Sequence, residues 1–144
     1  MNSPGNRTRL AIRKAPVGPF EHVMTPGAAP HLECAFSASE LTRFRQNKGG
    51  AESLAARYAA KAALLEVLGV PEERLEVLGS QVEISRLPTG QPHLECRGPL
   101  QLPPGTQLVL SLTHSRTLAL AAVCLQSDSA LEDGSDVPSR MNRG

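Results

Sequence analysis

The 144-residue chain has few large side chains, since only 3% of its residues are aromatic and none is tryptophan. Its core must therefore be built from Leu, Val and Ala, which bury less apolar area per residue than an aromatic ring does. A small chain with such a core gains stability by burying further surface against other chains. The length fits one domain, and the composition favours an oligomer.

The chain also lacks a net charge, because 15 basic and 14 acidic residues leave a formal charge of +1 at neutral pH. This balance excludes a general electrostatic attraction to nucleic acid or to a membrane surface. No apolar run is long enough to cross a membrane, and the first five residues lack the apolar core of a signal peptide. We expect a cytoplasmic protein that binds neither nucleic acid nor membrane.

Cysteine patterns and metal-binding patterns are absent as well. The three cysteines are an odd number without C-x-x-C spacing, which argues against a disulfide framework and favours a reducing compartment. Three of the four histidines, His22, His31 and His93, have no partner at metal-ligand spacing.

The composition divides the chain into three parts. Residues 1–30 are rich in Pro, Gly and basic side chains, which predicts a loop-rich segment with one short edge strand around Leu10–Ile12. Residues 31–125 carry the regular patterns and are predicted to form the domain. Residues 126–144 are polar and lack periodicity, which predicts a disordered tail.

Helix signals come first along the domain, and strand signals follow. Ser37 and Glu40 fit a capping box before a short helix, and the Ala-rich residues 51–68 predict a long one. Alternating polar and apolar residues then predict strands over 81–87, 92–96 and 107–113. The continuous apolar run 117–124 predicts a strand buried on both faces. This order indicates the α+β class.

Four short motifs occur in a fixed order: Phe36-Ser-Ala-Ser-Glu40, Ser53-Leu-Ala-Ala-Arg57-Tyr-Ala-Ala-Lys61, Gly90-Gln-Pro92 and Ser111-Leu-Thr-His114-Ser115. Together they resemble the phosphopantetheinyl transferase superfamily, of the small holo-[acyl-carrier-protein] synthase type. The resemblance implies a 4′-phosphopantetheinyl transferase-like fold, with the signature helix packed on a small antiparallel sheet. It also implies a homotrimer that binds coenzyme A between its subunits.

The reaction that the resemblance implies moves the 4′-phosphopantetheine arm of coenzyme A to a serine of an acyl or peptidyl carrier protein, as fatty acid or polyketide biosynthesis requires. Magnesium and basic side chains are expected to neutralise the charge that develops on the phosphate oxygens. The implied coenzyme A contacts are Arg57, Lys61, Gly90, Pro92, Ser111 and His114. Lys61 is also an implied catalytic residue, and Glu66 is a second catalytic candidate although the family has a lysine at its position. The alternative for Arg57 and Lys61 is a solvated helix face.

The chain departs from the family at its chemical positions. The family opens with Gly-x-Asp, whose aspartate binds magnesium, but residues 10–14 here contain no acid. Ala62 occupies the position of a second metal-binding glutamate, and Glu66 replaces a lysine thought to deprotonate the serine. Glu66 is then either a substitute carboxylate, as metal ligand or base, or a surface glutamate. Three hypotheses follow: an active transferase, a catalytically degenerate domain that binds a carrier protein or nucleotide, or a domain with a purely structural role in oligomerisation.

A basic cluster lies on the short helix and just after it. Arg43, Arg45 and Lys48 are predicted to dock the carrier protein, because carrier proteins are typically acidic. The alternative is an ordinary exposed helix face.

Overall fold

The computed structural model describes residues 6–98, 100 and 102–128. In chain order these residues form β1 (Asn6–Pro16), α1 (Gly18–Glu21), α2 (Pro30–Glu33), α3 (Ala38–Arg45), α4 (Gly50–Val67), α5 (Leu75–Leu78), β2 (Val82–Arg86), β3 (Pro92–Cys96), β4 (Thr106–His114) and β5 (Leu118–Asp128). Short 3-10 turns cover His22–Met24, Glu72–Arg74 and Gly79–Gln81. The predicted α+β class is confirmed, and none of the helices in this part of the chain is long and apolar enough to cross a membrane.

Two antiparallel sheets are formed. The larger sheet has the strand order β1-β5-β4, and the smaller one is the hairpin of β2 and β3. The central strand β5 pairs Ala122 with Ile12 on one side and with Ser111 on the other. The predicted signature helix α4 packs on the larger sheet, as the sequence had indicated.

Two strands of the larger sheet, β1 and β5, extend beyond the regions predicted to be regular. The short strand expected around Leu10–Ile12 is an eleven-residue strand, Asn6–Pro16, so the loop-rich prediction is wrong for this part of residues 1–30. β5 continues to Asp128, so the tail prediction is wrong for residues 126–128. The two errors are linked, because the extended parts pair with each other: Asn6 lies opposite Asp128. The remainder of the predicted tail lies outside the described residues.

Helix α4 lies in the middle of the molecule. Fourteen of its 18 residues are buried, and seven of these are alanines. Alanine gives a helix high intrinsic propensity, and its small side chain lets neighbouring backbone approach closely. α4 therefore contacts all three strands of the larger sheet and also α3.

Among the described residues, the larger sheet is covered on one face only. The β5 residues Ala119, Ala121 and Val123 face α4 and are buried, because alternate residues of a strand point to the same side. Leu118 and Leu120, on the opposite side, are each 38% exposed. The prediction of a strand buried on both faces is therefore wrong for a single chain.

Candidate functional site

Lys61 lies inside the molecule, with no exposed side-chain surface. Its ammonium group donates to the carbonyl oxygens of Ala35 (2.8 Å) and Gly79 (2.9 Å) and to Glu40 Oε1 (2.6 Å). An ammonium group has three N–H donors, and all three are satisfied by the protein. The structure therefore contradicts both the predicted phosphate contact and catalytic role of Lys61 and the alternative of a solvated helix face.

Glu40 completes this buried ion pair and joins three elements. Its Oε1 accepts from the Ser37 amide at 3.0 Å, and the Ser37 hydroxyl accepts from the Glu40 amide at 3.1 Å, so the predicted capping box is confirmed. Its Oε2 accepts from the Ile84 amide of β2 at 2.9 Å. Burial lowers the pKa of Lys61, and Glu40 opposes that shift. The pair holds α3, α4 and β2 together.

Arg57 is also buried, only 4% exposed. Its Nε donates to the Ile84 carbonyl (3.0 Å), its Nη1 donates to the Ser53 carbonyl (3.2 Å), and its guanidinium lies 4.2 Å from the centre of the Phe44 ring. Burial lowers the pKa of Arg57 to about 10, so the group stays charged at neutral pH. The predicted coenzyme A contact of Arg57 is contradicted, because its side chain is committed to the interior.

A group that the sequence did not predict lies where β1 meets the exposed side of α4. Arg13 contacts Glu66 of α4 at 3.3 Å and also bonds to Glu72 of the following 3-10 turn. The hydrogen bond to Glu72 raises the pKa of Arg13, and the contacts with Glu66 add to this. These three residues, called the Arg13 triad below, place a fixed guanidinium between two half-exposed carboxylates.

The donor set around the Arg13 triad does not fit the magnesium ion that the resemblance implies. Ala62, one turn before Glu66 on α4, is buried and offers no oxygen. Magnesium needs oxygen ligands in near-octahedral geometry, supplied by one or two carboxylates. Both carboxylates here are bound to Arg13. Among the described residues no three His, Cys, Asp or Glu side chains are grouped as metal ligands.

A cavity of about 360 Å³ lies next to the Arg13 triad. Glu72 and Tyr58 line it, and Tyr58 packs against the rings of Phe20 and Phe36. Burial raises the pKa of Tyr58, and Glu72 adds to this shift. The cavity therefore has an apolar base and an acidic rim. The Tyr58 hydroxyl in it stays protonated at neutral pH.

The remaining predicted coenzyme A residues lie on two other elements. Gly90 occupies the β2–β3 turn with a φ of 90°, a conformation that glycine adopts without strain, and Pro92 begins β3. Pro92 lines a groove of about 280 Å³ with Val109 of β4. Ser111 and His114 are exposed on β4, and His114 Nδ1 lies 3.3 Å from Glu52 Oε1 at the start of α4.

The predicted docking cluster is only partly available to a partner. Arg43 and Lys48 are exposed. Arg45 instead donates from Nε to the Val23 carbonyl at 2.8 Å, and its Nη2 lies 3.2 Å from Glu33. Arg45 therefore ties α3 to the preceding segment and offers little charge to a second protein.

No protein-family model matches the chain. It is 35% identical to a holo-[acyl-carrier-protein] synthase of Treponema denticola over 100 residues, which cover 66% of this chain and 80% of that protein. It is 37% identical to the holo-[acyl-carrier-protein] synthase of Streptomyces griseus over 103 residues, 69% of this chain and 80% of that one.

Solved structures share the fold. The apo-ACPS structure of Chronobacterium ammoniagenes has a TM-score of 0.68 at 22% identity, and the match covers 85% of this chain and 99% of that one. The holo-(acyl-carrier-protein) synthase of Bacillus anthracis, in complex with CoA (3',5'-ADP), has a TM-score of 0.64 at 24% identity, over 83% and 96% of the two chains. The fold is thus that of a 4′-phosphopantetheinyl transferase. The chain belongs to the holo-[acyl-carrier-protein] synthase family.

Proposed function

We propose that this protein is a holo-[acyl-carrier-protein] synthase that transfers 4′-phosphopantetheine from coenzyme A to a serine of an acyl or peptidyl carrier protein. The observation that carries the proposal is its 35% identity to a protein of that name over 80% of the latter's length. The fold also matches the ACPS–CoA complex of C. ammoniagenes with a TM-score of 0.67, over 98% of that chain. This match supports coenzyme A as the substrate.

The transfer is a substitution at phosphorus. The serine oxygen of the carrier protein bonds to the phosphorus next to the pantetheine arm, and the bond from that phosphorus to the bridging oxygen breaks. Adenosine 3′,5′-bisphosphate leaves with the electron pair, and the serine proton must be accepted by a base. We assign this base to Glu66, because its carboxylate is half-exposed and Arg13 fixes its position through Oε1 at 3.3 Å, a contact that does not involve Oε2.

Mass spectrometry tests the proposed function directly. An apo-carrier protein incubated with this protein, coenzyme A and magnesium should gain the mass of one phosphopantetheine arm, and the same carrier protein with its acceptor serine changed to alanine should not. A carrier protein that stays unmodified but still binds this protein would replace the transferase proposal with the degenerate binding domain.

The open face of the larger sheet supports the proposed trimer. Leu10, Ile12 and Val109 are each more than 60% exposed on this face, and the strand register places Leu10 and Val109 on either side of Cys124. A continuous apolar patch of this kind is typical of an association surface. The small aromatic content of the core gives a further reason for the chain to bury this face against copies of itself.

Replacing Ile12 with Glu should convert the oligomer into a monomer. The new carboxylate would have to be desolvated in every subunit contact without a partner. Light scattering at micromolar concentration measures the mass. Val77→Glu is the matched control, because Val77 is 60% exposed on α5 and Ile12 is 64% exposed on the sheet. An oligomer that survives Ile12→Glu, or that is lost equally in Val77→Glu, would contradict the proposed interface.

We further propose that coenzyme A binds between subunits of this trimer. The Gly90–Pro92 turn and His114 are exposed on elements other than those of the Arg13 triad, so a site between two chains allows one chain to supply the turn and His114 and another to supply the triad. Ser111 is exposed on the open sheet face in the same register row as Ala122 and Ile12, so a subunit contact over this face would bring it next to the second chain. Arg43 and Lys48 are the proposed docking residues for an acidic carrier protein.

A further inference from the structure

The Arg13 triad lies where the family resemblance places a metal centre. Arg13 comes from the strand in which the family carries a magnesium-binding aspartate, and Glu66 follows Ala62, at the second ligand position, by one helical turn. Arg13 and Glu66 are in contact at 3.3 Å, and Glu72 closes the group from the other side. The positive charge in this region is therefore supplied by a side chain of the protein.

A guanidinium at this place disfavours a bound divalent cation for two reasons. Each of the two nearby carboxylates already has one oxygen, Oε1, in contact with Arg13, and a metal ion would have to compete for that oxygen. The fixed positive charge of Arg13 would also repel the ion at short range.

The same guanidinium is suited to a phosphate group. Arginine has five N–H donors in a planar fork that matches phosphate oxygens, and Arg13 uses one donor on each carboxylate. The two ion pairs are weak because the Glu66 and Glu72 side chains are 53% and 43% exposed. Three of the five guanidinium N–H donors therefore remain for the oxygens of a diphosphate, and the weak pairs let the two carboxylates shift when it binds.

We propose that Arg13 donates hydrogen bonds to the diphosphate of coenzyme A in this protein, so that coenzyme A is bound without a divalent metal ion. This inference rests on the proposed function, since it names the residue that meets the substrate of that reaction. It assigns a role to a residue that lies outside the four motifs that carry the family resemblance.

Calorimetric titration of the full chain with coenzyme A tests the proposal, once with EDTA and once with saturating magnesium chloride. The wild type should bind equally well in both buffers. Arg13→Ala should weaken binding by about tenfold to a hundredfold in both buffers, because it removes charge-assisted hydrogen bonds. Arg9→Ala is the matched control, since Arg9 lies on the same strand but donates to a backbone oxygen, the Val67 carbonyl, and not to a carboxylate of the triad. It should leave the affinity unchanged.

Two further titrations separate the role of Arg13 from a loss of folding. Adenosine 3′,5′-bisphosphate lacks the diphosphate, so Arg13→Ala should change its affinity much less than that of coenzyme A. Arg13→Asp places a third carboxylate beside Glu66 and Glu72, and should make coenzyme A binding depend on magnesium.

The outcomes distinguish the inference from the proposed function. Wild-type binding that disappears in EDTA and returns with magnesium would overturn the role of Arg13 while leaving the transferase in place. Equal weakening of both nucleotides by Arg13→Ala would overturn the contact with the diphosphate. No binding of coenzyme A in either buffer, with no transfer to a carrier protein, would reject the proposed function and this inference with it.

Discussion

Replacing Lys61 with Met should lower the free energy of unfolding by about 3–5 kcal/mol, which is the usual cost of removing one partner from a buried ion pair. The substitution keeps most of the apolar stem, so the cost comes from Glu40, whose carboxylate would stay buried without its counter-charge. The carbonyl oxygens of Ala35 and Gly79 would also lose their donor. Urea denaturation followed by circular dichroism measures the change.

The double variant Lys61→Met with Glu40→Gln is the control for this prediction. A glutamine has no charge to leave unpaired, and its one carbonyl oxygen can still accept from the Ser37 or the Ile84 amide. The double variant should therefore be more stable than Lys61→Met alone. A loss of less than about 0.5 kcal/mol in the single variant, the range of ordinary surface substitutions, would show that the ion pair does not hold α3 and α4 together.

The same experiment separates a structural lysine from a substrate-binding one. Since the Lys61 ammonium group has three protein acceptors within 2.9 Å, folded Lys61→Met protein should bind coenzyme A as the wild type does. A large loss of affinity in protein that is still folded would restore the phosphate contact that the geometry contradicts.

Features decided by neighbouring residues were predictable from the sequence. The Ser37–Glu40 capping box, the long Ala-rich helix and the strands over 82–86 and 92–96 depend on contacts within a few positions, and all were confirmed. The family motifs added the order of the elements. Local patterning and motif order together were sufficient for the fold.

The burial of Arg57 and Lys61 could not be predicted in this way. Helix α4 is buried on nearly all sides, so its sequence has no polar stripe that would identify a solvent-exposed face. The acceptors of Lys61 lie 18 to 26 residues away along the chain. Only the tertiary structure determines whether such a cationic side chain is exposed to solvent or hydrogen-bonded to three protein oxygens.

The length of β1 and the Arg13 triad were missed for different reasons. Arg7, Arg9 and Arg13 fall on one side of an alternating pattern and Leu10 and Ile12 on the other, which is a usable strand signal. The many Pro and Gly residues nearby favour a loop, and they conceal this strand signal. The triad itself joins residues 53 and 59 positions apart, and no sequence spacing reports such a contact.

Replacing Glu66 with Gln should lower kcat for phosphopantetheine transfer by about 10²–10⁴-fold, the usual contribution of a general base. Glutamine keeps the size of the side chain and an oxygen that can accept from Arg13, but it cannot take the serine proton at neutral pH. KM for coenzyme A should change little, because the substitution affects the transition state more than substrate binding. Transfer rates under saturating coenzyme A and carrier protein measure this.

Glu72→Gln is the comparison that decides whether Glu66 acts as a base or only as a charge. Glu72 also bonds to Arg13, so this variant removes the same formal charge from the triad and leaves the Glu66 carboxylate in place. If Glu66 is the base, transfer should fall far less in Glu72→Gln than in Glu66→Gln. Equal losses in the two variants would mean that the triad acts through its net charge, and normal transfer by Glu66→Gln would place the base elsewhere.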